Sequence, residues 1–546
     1  MPQTQKHFTK GNSNIIYIKF IYPAVEMEIN MTLRQKIGQL IFAGFPATTP
    51  SEEFIRLVEE YKVGNVILFS HNIKSAPQVR QLCTDLQKLI RGENGNPAFI
   101  SVDQEGGMVV RLTKDCTNVP GAMAVAATNE PKNAYIAGEI TGRELHALGI
   151  NMDLAPSVDI NSNPENPVIG VRSYGDNPQD VSTYGIEMMH GLNSGGVMAV
   201  LKHFPGHGDT AVDSHLALPS VHKSIEELEK TDFLPFQNAI NSGAEAVMTS
   251  HILFPHIEND NYPATTSHTI ITGLLKERMG FRGLVMTDCL EMNAIKEYYG
   301  SAKGALAAIK AGVDMVFISH SAKIVEEAVK LIEAAITSGE LQMERLEAAV
   351  SKVLEYKGKY AHDNITDADL SVVGCAAHRT EAARISSASI ALVRDKRKQL
   401  PLSGKNVLFV GCYASHITNA MSLINKAFNF PDFMTEKLGG EALIINTVPQ
   451  LEDMERVLSA AKDKDAVVFG TYNGHLFKGQ LEILNRLCKE HDNVIAVALR
   501  NPYDIGSIDE KAAAIATYEY TPLSLEALVK VLKGEIIASG KVCVKI

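Results

Sequence analysis

Between Leu201 and Pro219 the chain reads LKHFPGHGDTAVDSHLALP, which sets three histidines, two aspartates and a lysine around Pro205, Gly206 and Gly208. The segment leaves an apolar run, Gly196 to Lys202, and its proline and glycines work against a helix. A solvated surface loop would account for one or two of these ionisable groups. The whole set, directly after a strand, points to a loop facing a cleft where chemistry is done, because unpaired charge is costly in a closed core. Within it, Asp213 and His215 are spaced so that the carboxylate can orient the ring and stabilise its protonated form. The other ring nitrogen would then be left as a general acid and base. Taken alone, DSH reads equally well as a polar turn.

Asp288 closes the run GLVMTD and is the candidate for attack on, or stabilisation of, an electrophilic carbon. Its plain alternative is an N-cap for the helix expected in LEMNAIKEYYG, with Glu291 as favourable first-turn charge. Lys202 and His203 close another run, and Asp103 a third, in VDQEGGMVVRL, where Gly106 and Gly107 let backbone approach a ligand. Arg111 on the same segment and Arg172 in NPENPVIGVRSYGDNP add donors. Together these residues suit a ring bearing several hydroxyls, although Arg111 and Arg172 singly read as surface ion pairs. A catalytic metal is the rival use of His203, His251 and Asp288. A barrel metallohydrolase would also need an HxH pair on its first strand, and QLIFAGF has none.

These residues need a frame that brings strand ends together. Eight short apolar runs recur with helical segments between them: Gln39 to Phe45, Asn65 to Ser70, Ala98 to Asp103, Ile150 to Pro156, Val197 to Lys202, Ala246 to His251, Gly283 to Asp288 and Asp314 to His320. Eight strand and helix units in about 300 residues predict an α/β fold built on a (β/α)8 TIM-like barrel, whose C-terminal strand ends converge on one mouth. A doubly wound open sheet would spread them along a line. In the helices, Val79, Leu82, Cys83, Leu86 and Ile90 make one apolar stripe, and Ser224 with Glu227 spells a capping box. After a connection over residues 363–385, strands return at SIALVR, NVLFVG, ALIINTV, AVVFGTY, NVIAVAL and AAIATYEY. They predict a smaller α/β/α sandwich over 386–546, following a barrel over 31–362. Gly411 stands without GxGxxG or a P-loop lysine, so no nucleotide site is read there.

At 546 residues the chain needs more than one core, and 45% hydrophobic with 21% charged residues is the balance of a water-soluble protein. A formal charge of −11 excludes a general nucleic-acid binder. Seven scattered cysteines without a CxxC pair read as free thiols in a reducing compartment. Residues 1–30 read as a leader or an extended start: Lys19 interrupts their apolar stretch and no small-x-small cleavage site follows. A cytoplasmic location, with export left open, is the expectation.

DQEGG with Arg111, APSVDIN, NPVIGVRSYGDNP, KHFPGHGDTAVDSHLALP and VMTDCLEM stand in the order found in glycoside hydrolase family 3. The DSH form of the central loop resembles that of the family's β-N-acetylglucosaminidases, and the likeness runs from about Met31 to Tyr360. It implies that Asp288 is the nucleophile of a retaining double displacement and that His215, supported by Asp213, is the acid/base. Asp103, Arg111, Arg172, Lys202 and His203 would bind the sugar. The implied activity is exo-removal of terminal N-acetylglucosamine from muropeptides or chitooligosaccharides, with no cofactor, no metal, and a small carbohydrate or muropeptide as partner. The alternatives are a β-glucosidase or N-acetylglucosamine phosphorylase of the same family, a non-catalytic sugar-binding relative, or a barrel metallohydrolase. Met108, where many relatives carry a second arginine, and Cys289, in place of a more usual Asp or Ser, depart from the pattern. The trailing domain resembles that of two-domain members. Gly206 and Gly208 suggest a flexible loop that carries the acid/base in after substrate binds, so that Gly206→Pro would lower turnover more than stability.

Overall fold

The computed structural model describes residues 31–210, 218–260, 262–361, 369–402, 406–414 and 428–546. All eight expected runs form strands: β1 (Ile41–Ala43), β2 (Asn65–Ile67), β3 (Phe99–Val102), β4 (Met152–Asp153), β5 (Met198–Ala199), β6 (Leu201–Phe204), β7 (Ala246–Thr249), β8 (Leu284–Cys289) and β9 (Met315–Ile318). They pair in parallel in the order β5-β4-β3-β2-β1-β9-β8-β7-β6. Only Val200 separates β5 from β6, so the two ends of the sheet are one extended segment and the ring closes with eight members. Closure leaves no edge strand, and helices cover the outside. The strands therefore read as nearly continuous apolar runs rather than alternating ones.

Alternation persists in which core each residue joins. Phe42, Ile67, Phe99, Met152, Met198, Met248, Leu284, Met286, Met315 and Phe317 fill the barrel interior, where the rings of Phe42 and Phe317 stack at 4.1 Å. Ile41, Val66, Ile100, Val247, Val285 and Val316 point outward beneath the helices. The helix Ala76–Asn94 buries the expected stripe of Val79, Leu82, Cys83, Leu86 and Ile90, and the capping box at Ser224 and Glu227 is formed.

The second sheet contains β10 (Ala391–Arg394), β11 (Val407–Gly411), β12 (Glu441–Ile444), β13 (Ala466–Thr471), β14 (Val494–Ala498) and β15 (Ala513–Ala516), ordered β10-β15-β14-β13-β11-β12. Only the β10–β15 pair is antiparallel, which gives the mostly parallel α/β layer that the sequence predicts. Its apolar core takes in Met123, Ala124 and Ala127 from the short helix Ala122–Ala127 and Val171 from the turn Gly170–Arg172, and Met108 packs beside them. The two units are joined by shared hydrophobic burial as well as by the chain. Among the described residues, no helix is long and apolar enough to cross a membrane.

Candidate active site

Strand alternation does the first part of the placement. Leu284 and Met286 of β8 face the barrel interior; beyond Met286 the pairing of β8 with β9 shifts register, and Asp288 lies past that irregularity in the lining of the mouth. Phe99 in β3 faces the interior and alternation carries that side to Asp103, whereas Lys202 lies within a register shift of β6 and is placed by its contacts with Asp103 and Glu105. All three line a cleft of about 730 Å³, together with Arg111, Arg172, His203 and Glu105.

Lys202 is the hub of the polar wall. Only 2% exposed, its Nζ lies 2.9 Å from Asp103 Oδ1 and 2.6 Å from Glu105 Oε1. Arg172 holds Glu105 with two prongs, Nη2 at 2.7 Å and Nε at 2.9 Å, and Arg111 Nη2 is 3.3 Å from Asp103 Oδ2. Burial alone would raise Asp103 and Glu105. The positive charges of Lys202 and Arg111 on the first, and of Arg172 and Lys202 on the second, outweigh it and hold both carboxyls below their ordinary range. In return Glu105 and Asp103 hold Lys202 up against its own burial, and Glu105 does the same for Arg172. The array therefore stays charged, with three cations around two carboxylates. Arg111 and Arg172 are buried parts of this network, not the surface ion pairs that their sequence context also allowed.

The register shift between Leu201 and Phe204 takes His203 out of simple alternation. Its Nδ1 meets Asp159 Oδ2 at 2.7 Å, and Asp159 also accepts from the backbone N–H groups of His203 and His207 at 3.2 and 2.7 Å. Burial works to raise Asp159, yet His203 and these hydrogen bonds bring it down to about 2. His207, pushed down to about 4 by burial and by the charge of His203, is neutral at pH 7, and its Nδ1 lies 3.0 Å from Thr210 Oγ1.

Asp288 Oδ1 accepts from the N–H of Cys289 at 2.6 Å. The helix-cap alternative is not realised: β8 runs through Cys289, and the next helix, Asn293–Lys296, has Met292 at its N-cap position. Glu291 precedes that cap instead of standing in the first turn, and its Oε2 accepts from the N–H of His320 at 2.6 Å. His251 uses Nδ1 on Thr265 Oγ1 at 2.8 Å and Nε2 on the carbonyl of Cys289 at 2.9 Å. Its ring thus steadies the end of β8, and both nitrogens are taken that a metal shared with His203 and Asp288 would need. Asp213 and His215, with Ser214 between them, lie outside the described residues.

The glycines of the central loop have a different role from the one expected. Gly206 has φ +137°, a value proline cannot adopt, and a Cβ there would lie 2.8 Å from Asp232 Cβ. A Cβ on Gly208 would fall 1.6 Å from the carbonyl oxygen of Ile160. Both positions are buried and demanded by packing, so Gly206→Pro is a folding lesion and not a clean test of loop motion.

Residues 32–356 match the family model described as glycosyl hydrolase family 3 N terminal domain. The chain belongs to glycosyl hydrolase family 3, and it is a glycoside hydrolase. It is 32% identical over 411 residues to a β-hexosaminidase A from Pseudoalteromonas piscicida, covering 68% of this chain and 69% of that one. A β-hexosaminidase from Methylobacillus flagellatus is 34% identical over 279 residues, 50% of this chain and 78% of that one. A solved family 3 β-N-acetylglucosaminidase from Paenibacillus sp. str. FPU-7 superposes with a TM-score of 0.87 at 36% identity, over 94% of this chain and 99% of that one. The last likeness spans the second domain of this hydrolase as well as its barrel.

Sequence reasoning did not single out Glu105 or Asp159. A signal for Glu105 was present: three buried cations facing Asp103 alone would be under-compensated, and DQEGG offers a second carboxylate two residues away. Asp159 stands in APSVDIN, but nothing local ties it to His203, 44 residues later. The second domain also reaches the site. Asn161 Nδ2 donates to Tyr503 Oη at 2.6 Å while its Oδ1 accepts from the N–H of Gly170, where the turn carrying Arg172 begins. On the other side, Glu519 Oε2 accepts from the N–H of Gly121 at 2.8 Å, against Gly107 of the DQEGG segment.

Proposed function

We propose that this hydrolase is a retaining exo-β-N-acetylglucosaminidase. The observation that carries the reading is the pairing, in one cleft, of a carboxylate on the inner face of β8 with a fixed charged wall of Asp103, Lys202, Arg111 and Arg172. A pyranose lying against that wall would give hydrogen bonds to Asp103 and take them from the lysine and arginines, turning its anomeric carbon towards Asp288. In the first displacement the Asp288 carboxylate would form the glycosyl-enzyme while His215, oriented by Asp213, protonates the departing oxygen. In the second, the same imidazole would take a proton from water. Because Asp103 and Glu105 are held below the ordinary carboxylate range and Lys202 and Arg172 above their ordinary values, the wall keeps its charge near neutral pH. The acetamido specificity rests on the relatives, described as β-hexosaminidases and as a β-N-acetylglucosaminidase. Muropeptide or chitooligosaccharide substrates, a role in cell-wall recycling, a cytoplasmic site of action, and the division of the chain at 362 and 386 belong to the same proposal.

The test is hydrolysis of the 4-nitrophenyl β-glycosides of N-acetylglucosamine and glucose by wild type, Asp288→Ala and His215→Ala, with the first-formed anomer followed by proton NMR. Preference for the acetamido sugar, release of the β-anomer, near-complete loss in Asp288→Ala and a fall of roughly 10²–10⁴-fold in His215→Ala are expected. Release of the α-anomer would refute retention. A preference for glucose would move the substrate within the family, and N-acetylglucosamine 1-phosphate accumulating in phosphate buffer would identify a phosphorylase.

A further inference from the structure

In the lining of the same cleft as Asp288, Cys289 Sγ, a carboxylate oxygen of Glu291 and a ring nitrogen of His320 all lie within 4.8 Å of one another. Each is held there by a contact of its own. The backbone of Cys289 is pinned on both sides, its N–H by Asp288 and its carbonyl by His251. Glu291 has one oxygen on the N–H of His320, which fixes the distance between the two loops, and the His320 ring rests 5.0 Å from the ring of Phe69. A thiol, an imidazole and a carboxylate make a mixed soft and borderline donor set, the kind that selects zinc-like cations over magnesium or calcium. In tetrahedral coordination at bond lengths of roughly 2.0 to 2.3 Å, donor atoms sit about 3.3 to 3.8 Å apart, so at most about 1.5 Å has to be closed from the 4.8 Å limit. The exposed His320 ring can supply any contraction by rotating against Phe69, because Glu291 fixes only the His320 backbone.

We propose that Cys289, Glu291 and His320 form a binding site for a soft divalent cation of the zinc class, through which the metal inhibits the enzyme. Binding displaces the thiol proton to solvent and leaves a thiolate–metal bond, with water in the fourth position. The cation then stands beside the Asp288 carboxylate, lowering its electron density towards an anomeric carbon, and narrows the mouth through which the sugar enters. This use of metal is separate from catalysis: no step of hydrolysis passes through it. The inhibitory consequence rests on the role proposed for Asp288, whereas the binding site itself does not.

Two measurements on the full-length protein separate those parts. The first is Co²⁺ titration followed by absorbance: a thiolate-to-cobalt band in the near ultraviolet is expected for wild type and is lost in Cys289→Ser. This readout needs no turnover, so it survives failure of the hydrolase reading. The second is Zn²⁺ inhibition of 4-nitrophenyl N-acetyl-β-glucosaminide hydrolysis, with each variant scored against its own metal-free rate. Micromolar inhibition reversed by a chelator is expected for wild type, with at least a tenfold higher inhibiting concentration in both Cys289→Ser and His320→Ala. Absence of the cobalt band, its persistence in Cys289→Ser, or equal inhibition of wild type and both variants would overturn the site.

Discussion

Glu519→Gln should make the protein more stable at pH 8 and leave it nearly unchanged at pH 5. Glu519 is 2% exposed, at the junction where the second domain supports the DQEGG segment. One oxygen accepts from Gly121 N–H and the other from Thr521 Oγ1, at 2.8 and 3.0 Å, and no salt bridge to it occurs among the described residues. Burial raises it from an ordinary 4.5 to about 7, against the partial relief of those two bonds. At about 1.4 kcal/mol per pH unit, that rise corresponds to roughly 3 kcal/mol. Below pH 4.5 folded and unfolded chains both hold the proton and nothing is lost. Between 4.5 and 7 the unfolded chain ionises while the native one does not, so stability falls as pH rises. Above 7 the whole cost of a buried carboxylate is present. Glutamine keeps an acceptor for Gly121 and can donate to Thr521, but does not titrate. Urea unfolding of wild type and variant at pH 5, 6, 7 and 8 should therefore show a difference that grows by roughly 2.5 kcal/mol in favour of the variant. A difference that stays flat across this range would refute the assignment.

Glu105→Gln removes the charge shared by Arg172 and Lys202 and leaves buried cations under-compensated. A loss of about 3–5 kcal/mol in denaturant unfolding, with a rise in KM for the nitrophenyl substrate, is expected, and unchanged stability would mean that the cluster is solvated. Tyr503→Phe removes the hydroxyl partner of Asn161 from the turn that carries Arg172. KM should rise several-fold with kcat nearly kept, and a Michaelis plot identical to wild type would disconnect the second domain from the sugar site. Gly208→Ala puts a methyl group into the carbonyl of Ile160 and should cost about 1–3 kcal/mol or more by thermal or urea unfolding, while retention of full stability would show that the loop can yield.

The sequence by itself determined the barrel, because eight apolar runs at strand length with helical stripes between them have few packings that bury both kinds of surface. It also determined which way Asp103 faces, since two-residue alternation carries the interior side of β3 out to its end, whereas Lys202 and Asp288 lie at register shifts that only the folded sheet reveals. The order of the motifs along the chain was enough to indicate the family. What the tertiary structure decided lies across long sequence separations. Asp159 orients His203, Glu105 binds both Arg172 and Lys202, and Tyr503 reaches Asn161 from the second domain. Such pairs follow no period, and only ring closure and domain docking bring them within hydrogen-bond distance. Gly206 and Gly208 make the same point in reverse. Their composition reads as flexibility, yet the backbone of Ile160 and the side chain of Asp232, pressed against them by the fold, make them requirements of close packing.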